Sequence, residues 1–248
     1  MKEILLLLLI TASLSNGNID LTPKQIVSKA YDNQNGENVK LNASMKVVRP
    51  KWTRELSYTA WGKGRDLGMM QITKPAKDKG IAFLKIKSEG WNWLPSIERV
   101  VKISPAQMAQ SWMGSDFTNE DVLKEASIIN DYDHTLLKKE QLQNTSCYLI
   151  KAVQRDDAAV VWGKVLLWIS EEDILQHKAE YYDEDNELIQ TLFYKDFKKI
   201  DGKKIATTWE IIPAQKQGYR SEVKIHSADY NQTLEESFFS KKNLKRLK

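Results

Sequence analysis

Hydrophobic residues recur mostly at every second position from residue 38 onward, which is the period of a half-buried β-strand. The alternation predicts six successive strands, at residues 39–49, 53–63, 65–73, 80–87, 89–94 and 98–104. Seven more are predicted at residues 132–142, 146–155, 164–170, 175–183, 188–198, 203–213 and 220–230. Short polar turns such as Asp185-Asn186 and Asp201-Gly202 separate them, so neighbouring strands should pair in antiparallel fashion.

A helical period appears near the start of the chain, at residues 21–33. Ile26, Val27 and Ala30 share one helical face there, behind Thr22 as N-cap and Pro23 at the first helical position. One helix is therefore predicted before the strands begin.

Residues 105–121 fit neither period, although they are rich in large apolar side chains. Met108, Trp112, Met113 and Phe117 stand there among small and polar residues. Apolar side chains on such a segment need a surface to cover or a ligand to bind. A short helix over residues 119–126, capped by Asn119, is predicted to follow.

These elements predict an α+β fold, in which a strongly curved antiparallel sheet of about eleven or more strands forms an open half-barrel over a few helices. The chain of 248 residues is 42% hydrophobic and 28% charged with 6 prolines, which indicates one domain over residues 16–248. Its net charge of +4 is spread among acidic residues, so no nucleic-acid partner is predicted. The charge does suit transient contact with an anionic membrane surface. Only residues 241–248 form a basic run, expected to be a solvated end.

The first fifteen residues, MKEILLLLLITASLS, have the pattern of a secretory signal peptide, with cleavage expected near Asn16. Their apolar run is too short to span a bilayer, which takes about 20 residues. No cysteine follows that run to carry a lipid anchor. The sequence therefore predicts export to the periplasm.

No catalytic or metal-binding pattern emerges from the sequence. His134, His177 and His226 are widely separated, and the lone Cys147 has the pattern of a small buried residue. The acids from Asp183 to Glu187 begin like a calcium loop, but the glycine and the closing glutamate that such a loop requires are missing. We therefore expect no cofactor, no metal and no enzymatic activity, while noting that carboxylates can converge in space without a sequence signature.

Four stretches carry a resemblance to a known family. They are VVRPKWTRELSYTAWGKG, ITKPAKDKGIAFLK, WNWLPSIERVVKI and QSWMGSDFTNEDV. From about Leu41 to its end, the chain resembles the bacterial outer-membrane lipoprotein-sorting proteins, the LolA-like periplasmic carriers. The resemblance implies the same half-barrel fold, and a carrier that shields the acyl chains of lipoproteins or lipids between the inner and outer membranes.

An open half-barrel leaves a concave apolar face, and methionine and tryptophan suit a cavity that accepts flexible acyl chains. The candidates for lining it are Met69, Met70, Ile72, Leu84, Trp91, Trp93, Met108, Trp112 and Met113. Taken singly, each of these residues fits an ordinary core better than a cavity wall, and only the set as a whole favours a cavity.

The segment 105–121 is the candidate lid, with Phe117 upon it. Asp116 and Arg99 are candidates to pair and fix this lid or to dock a partner, and both are also compatible with ordinary surface ions. The resemblance further suggests work beside an inner-membrane lipid transporter of the resistance-nodulation-division (RND/MMPL) type. An alternative hypothesis is an adaptor subunit of such an exporter, which docks through an aromatic patch and carries no cargo.

Overall fold

The computed structural model describes residues 21–247, so the predicted signal peptide at residues 1–15 lies outside the described part. The first six strands are β1 (Asn38–Arg49), β2 (Trp52–Lys63), β3 (Leu67–Lys74), β4 (Ala82–Ile86), β5 (Glu89–Leu94) and β6 (Arg99–Lys102). The other seven are β7 (Tyr132–Leu142), β8 (Thr145–Gln154), β9 (Lys164–Ser170), β10 (Gln176–Tyr182), β11 (Leu188–Ile200), β12 (Lys203–Pro213) and β13 (Arg220–Asp229). The four α-helices of residues 21–247 are α1 (Pro23–Asn35), α2 (Asn119–Leu123), α3 (Ser127–Asn130) and α4 (Lys241–Leu244).

All thirteen strands belong to one antiparallel sheet, in the order β6-β5-β4-β3-β2-β1-β13-β12-β11-β10-β9-β8-β7. The sheet is strongly curved and does not close, with β6 at one edge and β7 at the other. Irregularities in strand register add to its twist, for example between Asn42 and Ala43 on β1 and between Leu136 and Lys138 on β7. The predicted curved antiparallel half-barrel is confirmed.

The helix α1 begins as the sequence predicts. Thr22 caps it, with its hydroxyl accepting from the Gln25 N–H and its own N–H donating to the Gln25 side chain. Ile26, Val27 and Ala30 are buried against the sheet. We call the face of the sheet that packs against α1 the inner face.

The inner face carries the main core. Alternate residues along each strand point to it, such as Ala43, Met45 and Val47 on β1 and Leu56 and Tyr58 on β2. The sequence alternation therefore reports burial on one side of the sheet.

Residues 103–131, here the crossing segment, connect β6 to β7. Because these two strands lie at opposite edges of the sheet, the crossing segment must traverse the inner face. It contains short 3₁₀ turns at Pro105–Gln107 and Trp112–Gly114, followed by α2 and α3. Thr118 caps α2, not Asn119 as predicted, because the Thr118 hydroxyl and the Asp121 carboxylate accept from each other's backbone N–H groups.

The outer face is covered at one end by the C-terminal residues. Leu234, Phe239 and Leu244 form a second buried cluster there with residues of β3, β4 and β5. The predicted solvated end is thus wrong for Leu244, which is 1% exposed. We call residues 234–247 the C-terminal strap. None of the helices within residues 21–247 is long and apolar enough to cross a membrane.

Candidate ligand cavity on the inner face

A cavity of about 190 Å³ lies between the inner face and the crossing segment. We call it the central cavity. The crossing segment contributes Trp112, Phe117 and Val122, and the rest of its apolar wall comes mainly from the sheet. The sheet residues that line it are Leu41, Tyr58, Ala60, Met70, Tyr181, Leu192, Tyr194, Trp209 and Val223.

Aromatic packing fixes the crossing segment over this cavity. The ring of Trp112 lies 6.5 Å from that of Tyr58, edge to face, and 5.2 Å from that of Phe83, measured between centroids. The buried indole Nε1 of Trp112 has no hydrogen-bond partner among the described residues. This donor is therefore an unsatisfied polar atom beneath the wall of the central cavity.

The structure divides the predicted cavity residues between different places. Met70 and Trp112 line the central cavity, as does the predicted lid residue Phe117. Ile72 is buried in the main core of the inner face, and Met113 packs against that core.

The prediction is wrong for Leu84, Trp91 and Trp93, which belong with Met69 to the cluster beneath the C-terminal strap, on the outer face. Met69 is also among the residues that line a second cavity, beside Met70. Met69 and Met70 are adjacent on one strand, so their side chains must point to opposite faces. Met108 forms a separate small cluster with Ile103 and Leu123.

A second cavity of about 170 Å³, the rim cavity, adjoins the first. The two share walls formed by Leu41, Ala60, Met70, Val122 and Glu125. The rim cavity in turn shares Arg65, Lys85 and Leu123 with an open groove of about 410 Å³ at the end of the sheet, here the basic groove. These three spaces therefore lie side by side, from the surface groove to the apolar interior.

Two carboxyl groups that the sequence analysis missed face this interior. Asp121 accepts hydrogen bonds from the Thr118 N–H at 2.8 Å, from Trp162 Nε1 at 3.0 Å and from Gln190 Nε2 at 3.3 Å. Burial raises the pKa of Asp121, although these hydrogen bonds oppose the rise. Asp121 is therefore a well-satisfied structural acceptor.

Glu125 is much less satisfied than Asp121. Among residues 21–247, its one hydrogen bond comes from Asn35 Nδ2, at a long 3.5 Å. Burial raises the pKa of Glu125, and the charge of nearby Lys85 opposes the rise. Glu125 lines both the central and the rim cavity, beside the four apolar residues that the two cavities share.

Lys85 lies on β4 where the rim cavity meets the basic groove. The β-ladder places Gly68 beside it on one neighbouring strand and Gly90 beside it on the other. A methyl group at Gly68 would contact the Lys85 side chain at 3.5 Å, and the space over Gly90 is filled by the side chain of Leu123. Burial lowers the pKa of Lys85, against the charges of Glu125 and Asp66.

The crossing segment is tied to the sheet by two arginines. Arg49 Nη1 lies 2.9 Å from Asp116 Oδ2, and the two side chains are only 9% and 6% exposed. Arg49 also donates to the Gly114 carbonyl at 3.0 Å, and Arg54 donates to the Met113 carbonyl at 3.3 Å. The predicted pairing of Asp116 with Arg99 is wrong, because Arg99 lies exposed on the edge strand β6.

The histidines have separate surroundings. His134 contacts the Ile128 carbonyl, His177 stacks on Phe197 and His226 contacts the Ser44 hydroxyl. Within residues 21–247 no group of three or more His, Cys, Asp or Glu residues is placed to hold a metal ion. Cys147 is buried, as predicted, and burial raises its pKa to about 11.

Comparison with known proteins identifies the fold and the family. A family model described as "Uncharacterized protein" matches residues 64–246, and the chain belongs to the family that this model defines. No curated protein matches the sequence.

Three solved structures share the fold over nearly the whole chain. A candidate outer membrane lipoprotein-sorting protein domain from Vibrio parahaemolyticus is 22% identical with a TM-score of 0.80, covering 90% of this chain and 98% of that one. A DUF1329 family protein from Desulfovibrio piger is 21% identical with a TM-score of 0.82, covering 90% and 97%. A LolA superfamily protein from Nitrosomonas europaea is 24% identical with a TM-score of 0.77, covering 90% and 99%. The LolA-like fold predicted from the sequence is confirmed.

Proposed function

We propose that the protein is a periplasmic, non-enzymatic carrier that binds an acyl chain of a lipoprotein or lipid between the inner face and the crossing segment. The observation that supports this most directly is the apolar central cavity, which is lined by residues such as Met70, Trp112 and Phe117. Such a cavity suits a flexible hydrocarbon chain, because methionine adapts its shape and aromatic rings offer area at little entropic cost.

The size of the cavities sets how much of a chain fits. The central cavity of about 190 Å³ is somewhat larger than a cavity of about 150 Å³ that admits benzene. Each methylene transferred from water into such a site contributes about 0.8 kcal/mol before ordering costs. A longer acyl chain needs the adjoining rim cavity of about 170 Å³ or displacement of the crossing segment, which makes that segment the proposed lid.

The partners follow from this role. The carrier would load at the inner membrane, where an RND/MMPL-type lipid transporter is a candidate donor, and unload at the outer membrane. Contact with each membrane would be transient, which is consistent with a small net charge of +4.

The test is binding of a fluorescent acyl probe to the mature protein, with two tryptophan variants as a matched pair. Trp112 lines the central cavity, whereas Trp93 packs on the outer face under the C-terminal strap. Trp112→Ala should weaken probe binding about tenfold or more, and Trp93→Ala should leave it unchanged. Equal effects of the two variants, or no binding by the unchanged protein, would count against the carrier.

Native mass spectrometry of protein purified from its own periplasm complements this test. A co-purifying lipid or acylated peptide in near-stoichiometric amount, identified after organic extraction, is the expected result. A clean protein mass that persists after incubation with membranes would contradict it.

The adaptor alternative has one observation in its favour. Ile97 and Val101 are 55% and 41% exposed at the sheet edge formed by β6, where another protein could dock. A subunit of this kind should bind its transporter with full affinity when Trp112 is replaced, and should lose binding when Val101 is replaced by a charged residue.

A further inference from the structure

Lys85 stands out among the charged residues of the inner face because no protein group neutralises it directly. Among residues 21–247 its side chain makes no hydrogen bond and no ion pair, and only the longer-range charges of Glu125 and Asp66 act on it. Buried or half-buried charges are normally paired, because taking an ammonium group out of water is costly. An unpaired lysine on a cavity wall is therefore available to a ligand.

Lys85 lies between a polar space and an apolar one. The basic groove outside Lys85 is lined by polar and charged side chains, while the route inward leads past Met70 to the aromatic wall of the central cavity. An amphiphile likewise has a polar head at one end and an apolar chain at the other. Its head would remain at the groove and its chain would extend inward.

Two of the other cations of the groove are paired, and the third, Lys87, is exposed away from the neck. Arg65 holds Asp32 at 2.6 Å, and Lys124 lies 3.6 Å from Glu120. The groove also carries the acids Asp66, Asp131 and Asp157, so it is not a general cation cluster. Lys85 is thus the specific cation at the neck between groove and interior.

We infer that Lys85 binds the anionic head group of an amphiphile whose acyl chain occupies the rim and central cavities. The position of the lysine supports this assignment, because Lys85 lines both the rim cavity and the basic groove. Gly90 on the neighbouring strand admits the crossing segment, since a methyl group there would lie 2.4 Å from Leu123 Cδ1. The inference rests on the proposed acyl-binding function and names the class of ligand for it.

The experiment compares two probes that differ only in the head. Lauroyl lysophosphatidic acid and 1-monolauroylglycerol share one acyl chain, and only the first carries a phosphate. Isothermal titration below the micelle concentration should show the phosphate probe binding about tenfold more tightly, as a charge-assisted contact at a desolvated site would give. Glycerol 3-phosphate, the head without the chain, should bind far more weakly than either.

Three variants locate the effect. Lys85→Met keeps the length of the side chain and removes its charge, so it should reduce the preference to about threefold or less while binding of 1-monolauroylglycerol persists. Lys85→Arg should retain the preference. Lys46→Met, which makes the same change at an exposed position of β1, should also retain it.

The outcomes separate this inference from the function on which it rests. Equal affinity for both probes, tight binding of glycerol 3-phosphate alone, or the same loss in Lys46→Met would overturn the role of Lys85 and leave acyl binding intact. If neither lauroyl probe binds, the proposed carrier function fails, and the inference fails with it.

Discussion

Glu125 is the residue at which the interior departs most from an apolar core. It faces both cavities, and within the described part of the chain its only hydrogen bond is the long one from Asn35. A carboxyl group in such a place favours its neutral form, because ionisation would put an unpaired charge in a site of low polarity. Burial accordingly raises its pKa.

The pH dependence of stability should report this shift. The folded protein keeps the Glu125 proton to a higher pH than the unfolded chain, where glutamate has a pKa of about 4.3. Between these two values the native state binds more protons, so this contribution is complete below about pH 4 and is lost as the pH rises. Glu125→Gln should remove it, and urea unfolding from pH 4 to pH 8 should show a flatter dependence than the unchanged protein.

Asp121 and Glu120 also have raised pKa values, so the variant should keep part of the slope. The control is Glu55→Gln, at an exposed position on β2. A curve for Glu125→Gln that runs parallel to that of the unchanged protein would mean that the carboxyl group is solvated in the folded state.

At the scale of elements, the C-terminal strap acts as a second core for one end of the sheet. Leu234, Phe239 and Leu244 cover the outer face of β3 to β5, where the sheet would otherwise expose Met69 and Leu84. Gln71 Nε2 donates to the Leu247 carbonyl at 2.7 Å and Lys63 Nζ to the Leu234 carbonyl at 2.7 Å, so both ends of the strap are fixed to strands.

Leu244→Ala should therefore destabilise the protein by about 2–5 kcal/mol, the usual cost of emptying a leucine site in a core. The residue is 1% exposed on a helix of only one turn, so most of that cost is lost packing. Urea denaturation followed by tryptophan fluorescence measures it, with Lys242→Ala as a control for helix propensity. A cost equal to that of the control would show that the strap does not belong to the folded core.

How far the sequence predicts these elements depends on the range of the interaction. The predicted strands and α1 are confirmed, because alternation and caps are local signals. Local signals do not predict whether a given side chain lies on the inner or the outer face of the sheet. The alternation around Trp93 predicts which neighbouring residues lie on the same face of the sheet. It does not predict what packs against that face, because the residues that do so begin at residue 234, far along the chain.

The candidate site shows the same limit. Asp116 and Arg99 are close in sequence, which makes them candidates to pair. Asp116 instead pairs with Arg49, because the crossing segment brings Asp116 to the end of β1. Lys85 and Glu125 carried no local pattern at all. Their significance comes from the cavities they line, and a cavity exists only once the crossing segment has closed over the sheet.

At the scale of the whole molecule, the crossing segment connects the two edges of an open sheet and roofs its interior. We predict that a chain enters by lifting part of that roof, although the basic groove beside Lys85 offers a second way in. The contacts of Asp116 are a suitable place to prevent the motion, because its Oδ2 lies 2.6 Å from the Ser221 Oγ and its N–H donates to the same oxygen at 3.0 Å.

A cysteine pair at these positions, Asp116→Cys with Ser221→Cys, should lock the roof when oxidised, because the two side chains meet directly. Uptake of a fluorescent acyl probe should be at least about tenfold slower in the oxidised form, and a reductant should restore it in the same sample. The native Cys147 can stay, since burial raises its thiol pKa to about 11 and leaves it unreactive near neutral pH.

The matched control is Asn42→Cys with Ser227→Cys, which links β1 to β13 at exposed positions where Asn42 Nδ2 lies 3.1 Å from Ser227 Oγ. Oxidation of this control pair should not slow uptake. Equal uptake by the oxidised and reduced forms of the first pair would place the entrance elsewhere, at the basic groove beside Lys85, without movement of residues 111–118.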